Sequence, residues 1–198
     1  MNKFKNSVAV VTGAGSGIGR QLSLQLAEAG ADVAIVDINS ANLDQTESLI
    51  VALNAQVRVQ KTVLDVSDQD AIYRLAEDTQ AHFGKVNLVI NNAGVAMSSG
   101  TLWETSLDDF QWLMGINFNG VLYGTKAFLP MLEKAQWGHI VNVSSLFGLI
   151  GVPEQAHYNA SKFAVRGLTE SLRQELELAD SHISCTSIHP GGIKTSIA

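Results

Sequence analysis

The sequence has almost no cysteine, and this scarcity limits what can hold the fold together. Cys185 is the single cysteine among 198 residues, so an internal disulfide is ruled out. Because Cys185 lies within a strand-like apolar run, we interpret it as a small buried core residue. A chain without disulfides suits a reducing compartment, and we therefore expect a cytoplasmic protein.

Long apolar runs and an excess of positive charge are also missing. No segment approaches the ~18 uninterrupted apolar residues of a membrane helix, and the run Val8–Val11 is too short for the core of a signal peptide. The 13 Lys and Arg are scattered and are outnumbered by 19 Asp and Glu, which gives a net charge of -6. Proteins that bind nucleic acid carry basic surfaces. We therefore expect neither a membrane nor a nucleic acid as a partner.

Metal-ligating patterns are absent from the sequence as well. The five histidines are not spaced as zinc ligands, and no H-E-x-x-H motif occurs. A single cysteine cannot form a ligand cluster. We therefore expect no metal site.

What the chain does contain is an alternation of strand-like and helix-like segments. With 198 residues and 46% hydrophobic content, it is long enough to bury the core of one domain. Six apolar runs are predicted as strands, namely Ser7–Val11, Asp32–Asp37, Val57–Val66, Val86–Ile90, Gly138–Ser145 and Ile183–Ile188. Segments of helical period separate them. This order predicts an α/β fold, a Rossmann-type doubly wound parallel sheet flanked by helices.

A glycine-rich turn follows the first predicted strand and precedes a helix. Its glycines include positions 13, 17 and 19, whereas the common G-x-G-x-x-G pattern would need a glycine in place of Ile18. Glycines allow a tight turn and a close approach of the backbone, and the free N–H groups of a helix N-terminus attract a pyrophosphate. The setting between strand and helix therefore predicts a dinucleotide site.

The second predicted strand, Asp32–Asp37, ends in an acid. In a dinucleotide-binding unit, a carboxylate about 20 residues after the glycines accepts hydrogen bonds from the adenosine ribose and repels a 2′-phosphate. No Arg or Lys lies next to Asp37, and Ser16 brings no positive charge to the glycine turn. We therefore expect NAD as the cofactor, with NADP less favoured. The alternative is that Asp37 is an ordinary turn residue before the next helix.

Two further strand ends carry polar residues that suit a cofactor site. Asp65 and Val66 end the third predicted strand, at the sheet edge where open α/β sheets bind ligands, so Asp65 is expected near the adenine. The fourth strand leads into Asn91-Asn92-Ala93-Gly94. The two amides can join neighbouring strands and leave bare backbone for the cofactor ribose, or the segment can be a simple turn.

Tyr158 and Lys162 lie four residues apart in a segment of helical period, so their side chains share one face of a helix. The reference pKa of tyrosine, about 10, is high for a general base near neutrality, and a nearby ammonium lowers it by charge attraction. Just upstream, Ser144 and Ser145 bring two hydroxyls to the end of the fifth predicted strand. The alternative for such a pair is an ordinary exposed helix face.

Asn117 lies on the apolar stripe of another predicted helix, with Leu113 and Val121 one turn to either side. A buried amide needs hydrogen-bond partners. We expect these to be a bound water or a backbone group near the active site; the alternative is a satisfied core asparagine.

Taken together, these motifs resemble the short-chain dehydrogenase/reductase family. The resemblance covers the whole chain and rests on six motifs in order, namely Thr12-Gly13-x-x-x-Gly17-x-Gly19, Asn91-Asn92-Ala93-Gly94, Asn117, Ser145, Tyr158-x-x-x-Lys162 and Pro190-Gly191. Of the two adjacent serines, Ser145 matches the catalytic position because it precedes Tyr158 by the family spacing.

The resemblance implies a reversible hydride transfer between a nicotinamide cofactor and an alcohol or ketone. Tyr158 would exchange the substrate proton while Ser145 orients the substrate oxygen. Lys162 would bond the nicotinamide ribose and lower the pKa of Tyr158, and Asn117 would hold a water in the proton relay. The implied cofactor contacts are Gly13, Ser16, Gly17, Ile18, Gly19, Asp37, Asp65, Val66, Asn92, Ala93, Gly94, Tyr158, Lys162, Pro190, Gly191, Ile193 and Thr195.

Family members continue past the Pro190-Gly191 segment with a substrate-covering loop, a further helix and a seventh strand, which this sequence lacks. We expect residues 1–198 to be one dinucleotide-binding and catalytic domain, either a fragment of a longer chain or a chain truncated at a mobile lid. The fragment is favoured, because a parallel sheet that ends at its sixth strand would leave an unprotected edge. The remaining pocket walls are mostly apolar and suggest an apolar secondary alcohol as substrate; they are Val95, Ala96, Met97, Leu146, Phe147, Leu149, Val152 and His157. The resemblance also implies a homotetramer or homodimer packed through the helices of Asn117 and Tyr158.

Three functions stay open at this point. The first is an NAD-dependent alcohol dehydrogenase. The second is an NADP-dependent carbonyl reductase of the same family, against which Asp37 alone argues. The third is a protein that binds the cofactor without turnover, which would have no need of Ser145, Tyr158 or Lys162.

Overall fold

The computed structural model describes residues 2–98 and 100–193. Its strands are β1 (Val8–Thr12), β2 (Asp32–Asp37), β3 (Val59–Val63), β4 (Leu88–Asn91), β5 (Gly138–Val143) and β6 (Ile183–Ile188). Its α-helices are α1 (Gly17–Glu28), α2 (Ser40–Leu53), α3 (Gln69–Phe83), α4 (Leu107–Met114), α5 (Gly120–Glu133) and α6 (Ala156–Leu178). A π-helical turn, Gly115–Asn119, joins α4 to α5, and a short 3-10 turn, Leu146–Gly148, follows β5.

All strand pairs are parallel, and the sheet order is β3-β2-β1-β4-β5-β6. The chain moves outward from β1 to β3, then returns to place β4 on the other side of β1. At such a reversal the loops after β1 and β4 diverge and leave a crevice at the carboxyl ends of the strands. The predicted doubly wound fold is confirmed, and its crevice lies where the glycine turn follows β1.

Alternate residues of the strands fill two separate core layers. Val8 and Val10 pack with apolar residues of α3, α5 and α6 on one face of the sheet. Ala9 and Val11 pack with α1 and α2 on the other face. Because both faces are covered, β1 consists of buried residues throughout, as expected of a central parallel strand.

Three differences from the predicted element boundaries bear on the site, beyond shifts of one or two residues at other strand ends. The third strand was predicted to reach Val66, but β3 ends at Val63, since Asp65 turns back to accept a hydrogen bond from the backbone N–H of Ser67 at 2.9 Å. The fifth strand ends at Val143, so both serines lie beyond it. The predicted helix that carries Asn117 is interrupted by the π-helical turn, in which Gly120 N–H bonds to the carbonyl of Gly115, five residues back.

In the described ranges, no helix is both long and apolar enough to cross a membrane. Within the same ranges, His, Cys, Asp and Glu side chains nowhere gather in a group of three that could hold a metal ion.

Candidate active site

The glycine turn after β1 is packed too closely for side chains. Gly13 has φ of +66°, a left-handed conformation that favours glycine. A Cβ on Gly19 would collide with the carbonyl oxygen of Gly13 and with the side chain of Asn92. α1 then begins at Gly17 with no side-chain cap on its N-terminal N–H groups, which leaves them available to an anion.

The end of β4 is tied to this turn by hydrogen bonds. The hydroxyl of Thr12 accepts bonds from the backbone N–H groups of Asn92 and Ala93, both at 3.0 Å. The Asn92 side chain donates in return to the carbonyl of Thr12 at 2.9 Å. Its neighbour Asn91 is buried and donates to Asn142 of β5 at 2.8 Å. The two amides therefore join neighbouring strands, as one of the two sequence-based interpretations expected.

The carboxylate of Asp37 at the end of β2 turns toward the glycine loop. Its Oδ2 accepts a hydrogen bond from Gly15 N–H at 2.9 Å, and its Oδ1 accepts one from Asn39 N–H at 2.9 Å. A Cβ on Gly15 would lie 2.8 Å from the Asp37 carboxyl carbon, so this approach requires glycine. The acid is thus held against the loop at the end of the crevice away from Tyr158.

Asp65 and Val66 lie in the loop beyond β3, not at its end as predicted. Asp65 accepts bonds from both the backbone N–H and the hydroxyl of Ser67. Val66 is buried against Gly120 of α5, where an added Cβ would stand 2.8 Å from Val66 Cγ2. Neither residue lines the cleft described next.

A cleft of about 360 Å³ opens at the carboxyl ends of β1, β4, β5 and β6. Its walls are Ile18, Asn92, Gly94, Ala96, Met97, Val143, Ser144, Ser145, Leu146, Phe147, Gln155, Tyr158, Lys162, Pro190, Gly191, Gly192 and Ile193. These come from five separate stretches of the chain, so the parallel sheet assembles the cleft from distant segments.

Ser145 and Tyr158 meet in this cleft through their hydroxyl groups. Burial raises the pKa of Tyr158, and its hydrogen bond with the Ser145 side chain partly opposes that rise. The Ser145 hydroxyl also accepts a bond from Phe147 N–H at 3.1 Å, which fixes its direction. The Phe147 ring stands edge-on to the Tyr158 ring, with centroids 6.1 Å apart. The tyrosine therefore lies between a polar partner and an apolar wall.

Lys162 lies one turn after Tyr158 and is 2% exposed. Its ammonium donates to the carbonyl of Val143 at 3.1 Å and lies 5.6 Å from the centroid of the Tyr158 ring. Burial lowers the pKa of Lys162 to about 8. The predicted lowering of the Tyr158 pKa by Lys162 was therefore wrong, because burial dominates at both groups: it raises the pKa of the tyrosine and lowers that of the lysine.

Asn117 lies in the π-helical turn and is fully buried. Its Oδ1 accepts from Val95 N–H at 2.8 Å, and its Nδ2 donates to the Val95 carbonyl at 2.9 Å and to the Ser161 hydroxyl at 3.3 Å. A Cβ on Gly94 would stand 3.2 Å from Asn117 Oδ1 and 3.4 Å from Lys162 Nζ. The carboxamide therefore clamps the strand-end backbone beside the lysine.

Comparison with known proteins places this geometry in a family. The sequence model described as short chain dehydrogenase matches residues 7–198. The chain belongs to that family. It is an oxidoreductase of the NAD(P)-dependent short-chain dehydrogenase/reductase type that acts on CH–OH groups.

Relatives of this short-chain dehydrogenase cover its full length. SadH of Mycobacterium tuberculosis is 49% identical over 100% of this chain, which spans 71% of that protein. The cyclohexanol dehydrogenase of an Acinetobacter species is 38% identical over 99% of this chain and 76% of that protein. A short-chain dehydrogenase/reductase of Burkholderia phymatum, solved in complex with NAD, superposes with a TM-score of 0.94 at 38% identity, covering 100% of this chain and 69% of that one.

About half of the residues predicted for the site of this short-chain dehydrogenase line the cleft itself. Ile18, Asn92, Gly94, Ser145, Tyr158, Lys162, Pro190, Gly191 and Ile193 line the cleft, whereas Gly13, Ser16, Gly17, Gly19, Asp37, Asp65, Val66, Ala93 and Asn117 lie outside its walls. Thr195 lies outside the described residues. Of the eight predicted pocket walls, Ala96, Met97, Leu146 and Phe147 line the cleft, whereas Val95, Leu149, Val152 and His157 do not. His157 is 1% exposed and lies under the surface.

Three residues near the glycine loop were missing from the predicted site. Gly15 donates its N–H to Asp37, and Arg20 and Thr46 bond to the loop from two helices. The glycine was visible in the turn motif, and an arginine just after it was a weak signal. Thr46 lies 26 residues from Arg20, so its part depends on how α2 packs on α1.

Proposed function

We propose that this enzyme transfers hydride reversibly between NAD(H) and an apolar secondary alcohol or its ketone. The observation that carries the proposal is the Tyr158 hydroxyl, bonded to Ser145 and set one helical turn from the buried Lys162, in a cleft with apolar walls. This arrangement supplies a proton donor and acceptor at the place where an alcohol oxygen would be held.

The residues of the crevice fit a nicotinamide dinucleotide. The glycine loop offers bare backbone and the free N–H groups of α1 to a pyrophosphate, and Asp37 would accept hydrogen bonds from the adenosine ribose. The ammonium of Lys162 would bond the second ribose beside Gly94. When bound, the nicotinamide accepts or returns the hydride, and the protein supplies position and proton transfer.

Proton transfer falls to the chain's own side chains. Because burial raises its pKa, Tyr158 holds its proton at neutral pH and is suited to donate it to a carbonyl oxygen. In the oxidation direction Tyr158 must first be a phenolate in order to take the alcohol proton, and a positive charge on Lys162 would favour the phenolate. Ser145 would orient the oxygen, since Phe147 fixes its hydroxyl.

Asn117 would contribute differently from the role that the resemblance implied. Its carboxamide is occupied by Val95 and Ser161, so a relay water would have to bond to backbone instead. In a π-helical turn the hydrogen-bond pattern shifts by one residue, which leaves a carbonyl without a helical partner. We propose that a carbonyl of the turn Gly115–Asn119 holds the water near Lys162.

The substrate class follows from the open part of the cleft. Ala96, Met97, Leu146 and Phe147 offer apolar surface to a substrate, while the hydroxyls of Ser145 and Tyr158 offer polar contacts. Apolar walls around a few polar groups bind ligands with a single oriented hydroxyl or carbonyl. The similarity to a cyclohexanol dehydrogenase supports a cyclic secondary alcohol.

The test uses two alcohols that share a six-membered ring. Cyclohexanol and myo-inositol are supplied to the purified protein with NAD+ or with NADP+, and the formation of the reduced cofactor is followed by absorbance. We expect turnover with cyclohexanol and NAD+, and kcat/KM at least about tenfold lower for myo-inositol, since its hydroxyls would be buried without partners. Preference for myo-inositol would refute the substrate class, and preference for NADP+ would refute the cofactor.

We further propose that the chain forms a homodimer or homotetramer in the cytoplasm. Trp112 of α4 and Phe163 of α6 are half-exposed, and Trp103 is 89% exposed in the loop before α4. Large apolar side chains gathered on packed helices mark association surfaces. The unpaired thiol of Cys185 suits a reducing compartment. Light scattering should show an oligomer for wild type and a smaller species for Trp112→Glu. A monomeric wild type would contradict the proposal.

A further inference from the structure

We propose that Arg20, in the second turn of α1, is a positioning residue that holds Asp37 in place and thereby sets the preference for NAD over NADP. This inference rests on the proposed function, because it concerns the adenosine half of the same site. Arg20 does not line the cleft. It acts through two peptide units of the glycine loop and through one threonine of α2.

The guanidinium of Arg20 bridges the glycine loop and α2. Its Nη2 donates to the carbonyl oxygen of Gly15 and, at 3.4 Å, to that of Asn42. Its Nε donates to the hydroxyl of Thr46 at 3.0 Å. A planar guanidinium can reach all three oxygens at once, since its N–H groups diverge in a fixed fork. The carbonyl of Gly15 is therefore held directly by a charged donor.

Thr46 carries the same constraint to the preceding peptide unit. It is fully buried, and its hydroxyl shares its proton between the carbonyl oxygens of Ala14 and Asn42, both at 3.0 Å. That carbonyl and the N–H of Gly15 are the two ends of one planar peptide group. The N–H end donates to Asp37 Oδ2 at 2.9 Å. The peptide group is thus fixed at one end by Asp37 and at the other by Thr46.

The hydrogen bonds of the glycine loop determine the position of the negative charge of Asp37. A carboxylate discriminates against a 2′-phosphate only if it stays where that phosphate would lie. Gly15 N–H and Asn39 N–H hold its two oxygens. If the Ala14–Gly15 peptide group turns, one of these donors is lost and the carboxylate can rotate away. Arg20 and Thr46 oppose that turn.

The experiment measures cofactor binding directly, so it does not depend on knowing the substrate. NADH and NADPH are titrated into the full chain by fluorescence, for wild type, Arg20→Met, Arg20→Lys, Asp37→Ala and the Arg20→Met/Asp37→Ala double variant. Methionine keeps an unbranched stem but removes every donor. Lysine keeps the charge but not the fork, so it serves as the matched control for charge alone.

We expect Arg20→Met to weaken NADH binding about tenfold, in line with the loss of charge-assisted hydrogen bonds, and to weaken NADPH binding less. The ratio of the two dissociation constants then moves toward that of Asp37→Ala. The double variant should have the same ratio as Asp37→Ala alone, because no carboxylate remains for Arg20 to position. Arg20→Lys should resemble Arg20→Met in this ratio.

Other outcomes overturn the inference. An equal loss for NADH and NADPH, or a lower melting temperature with unchanged affinities, would make Arg20 a purely structural residue. Should Arg20→Met fail to fold, Thr46→Val removes the linking hydroxyl at nearly constant shape and must shift the same ratio in the same direction. If wild type binds neither cofactor, the proposed function itself fails. If wild type binds NADH and Arg20→Met binds both cofactors as wild type does, only the role of Arg20 fails.

Discussion

The two ends of the cofactor crevice are built on opposite principles. At the adenosine end, Asp37, Thr46 and Arg20 use their polar atoms in hydrogen bonds to backbone and to each other. At the catalytic end, among the described residues, the buried ammonium of Lys162 has one hydrogen-bond partner, the carbonyl of Val143. The polar groups at the adenosine end are thus already bonded within the protein. At the catalytic end, the ammonium of Lys162 has further N–H groups that a ligand can bond.

The difference follows from what each end must do. A recognition site gains from polar groups that are already oriented, because no ordering is then needed on binding. Proton transfer needs groups whose protonation can change. Burial lowers the pKa of Lys162 to about 8, toward neutral pH, whereas it raises the pKa of Tyr158 and keeps that hydroxyl protonated and ready to donate. Satisfying those groups fully would lock one protonation state in place. Substitutions at the two ends should therefore differ in kind.

The largest effect is expected from Tyr158→Phe, which removes the hydroxyl and keeps the ring. We expect kcat to fall about 10³-fold or more, since the general acid and base is lost, while the dissociation constant of NADH stays within about twofold. Steady-state kinetics and a fluorescence titration on the same preparation measure both. Retention of more than about a tenth of the activity would show that another group moves the proton.

The next effect should come from Gly15→Ala at the adenosine end. The new Cβ would stand 2.8 Å from Asp37 Cγ and 2.9 Å from the Cβ of Asn42, so the acid or the loop must move. We expect the dissociation constant of NADH to rise by about 30-fold, with a much smaller change in kcat at saturating cofactor.

Gly100→Ala is the matched control for that substitution, because a Cβ on Gly100 meets no atom of the described residues within 4 Å. It should bind NADH as wild type does. Equal affinities in the two alanine variants would mean that the loop accommodates a methyl group and that its close packing is not needed for binding.

A smaller change is expected from Asp37→Ala, which alters selectivity more than turnover. Loss of the carboxylate removes both the ribose hydrogen bonds and the repulsion of a 2′-phosphate. The ratio of kcat/KM for NAD+ over NADP+ should fall about tenfold, the size of one lost charge interaction. Kinetics with both cofactors measure it, and Asp65→Ala, in the loop after the neighbouring strand β3, is the control. An unchanged ratio would remove Asp37 from the discriminating role.

Local patterns predicted much of this site because strand, turn and helix follow one another along the chain. The glycine turn, Asp37 and the pair of Tyr158 and Lys162 each depend on spacing within one segment. Asn117 was also predicted to be buried, since its apolar neighbours recur at helical period. These residues needed no knowledge of how helices pack on the sheet.

What could not be predicted depends on contacts between distant segments. The bond from Arg20 to Thr46 requires α2 to lie against α1. The π-helical turn adds a single residue to a helical repeat, which the apolar pattern around Asn117 does not reveal. His157 was predicted to lie in the pocket wall because it is next to Tyr158 in the sequence. In α6 it faces instead the buried stripe of Ser161 and Val165, because adjacent helical residues point about 100° apart.

The smallest effect is expected from Lys162→Met, which tests whether the buried charge of Lys162 destabilises the folded chain. In the unfolded chain the lysine has its ordinary pKa of 10.5, and in the folded chain burial lowers its pKa to about 8. Below pH 8 both states are charged, so folding bears the full cost of burying the charge. Between pH 8 and 10.5 only the unfolded chain holds the proton, and the stability contributed by this position rises with pH.

Methionine removes the charge, so the variant should be more stable than wild type at pH 6 to 7, and its advantage should shrink as the pH rises from about 8 toward 10.5. The carbonyl of Val143 loses its donor, which offsets part of the gain, and we expect a melting temperature higher by about 3–6 °C at neutral pH. Calorimetry across this pH range, with Lys126→Met as the exposed control, measures it. A difference that does not vary with pH would mean that the ammonium of Lys162 is well solvated in the folded enzyme, and the contrast between a satisfied and a strained end of the crevice would then fail.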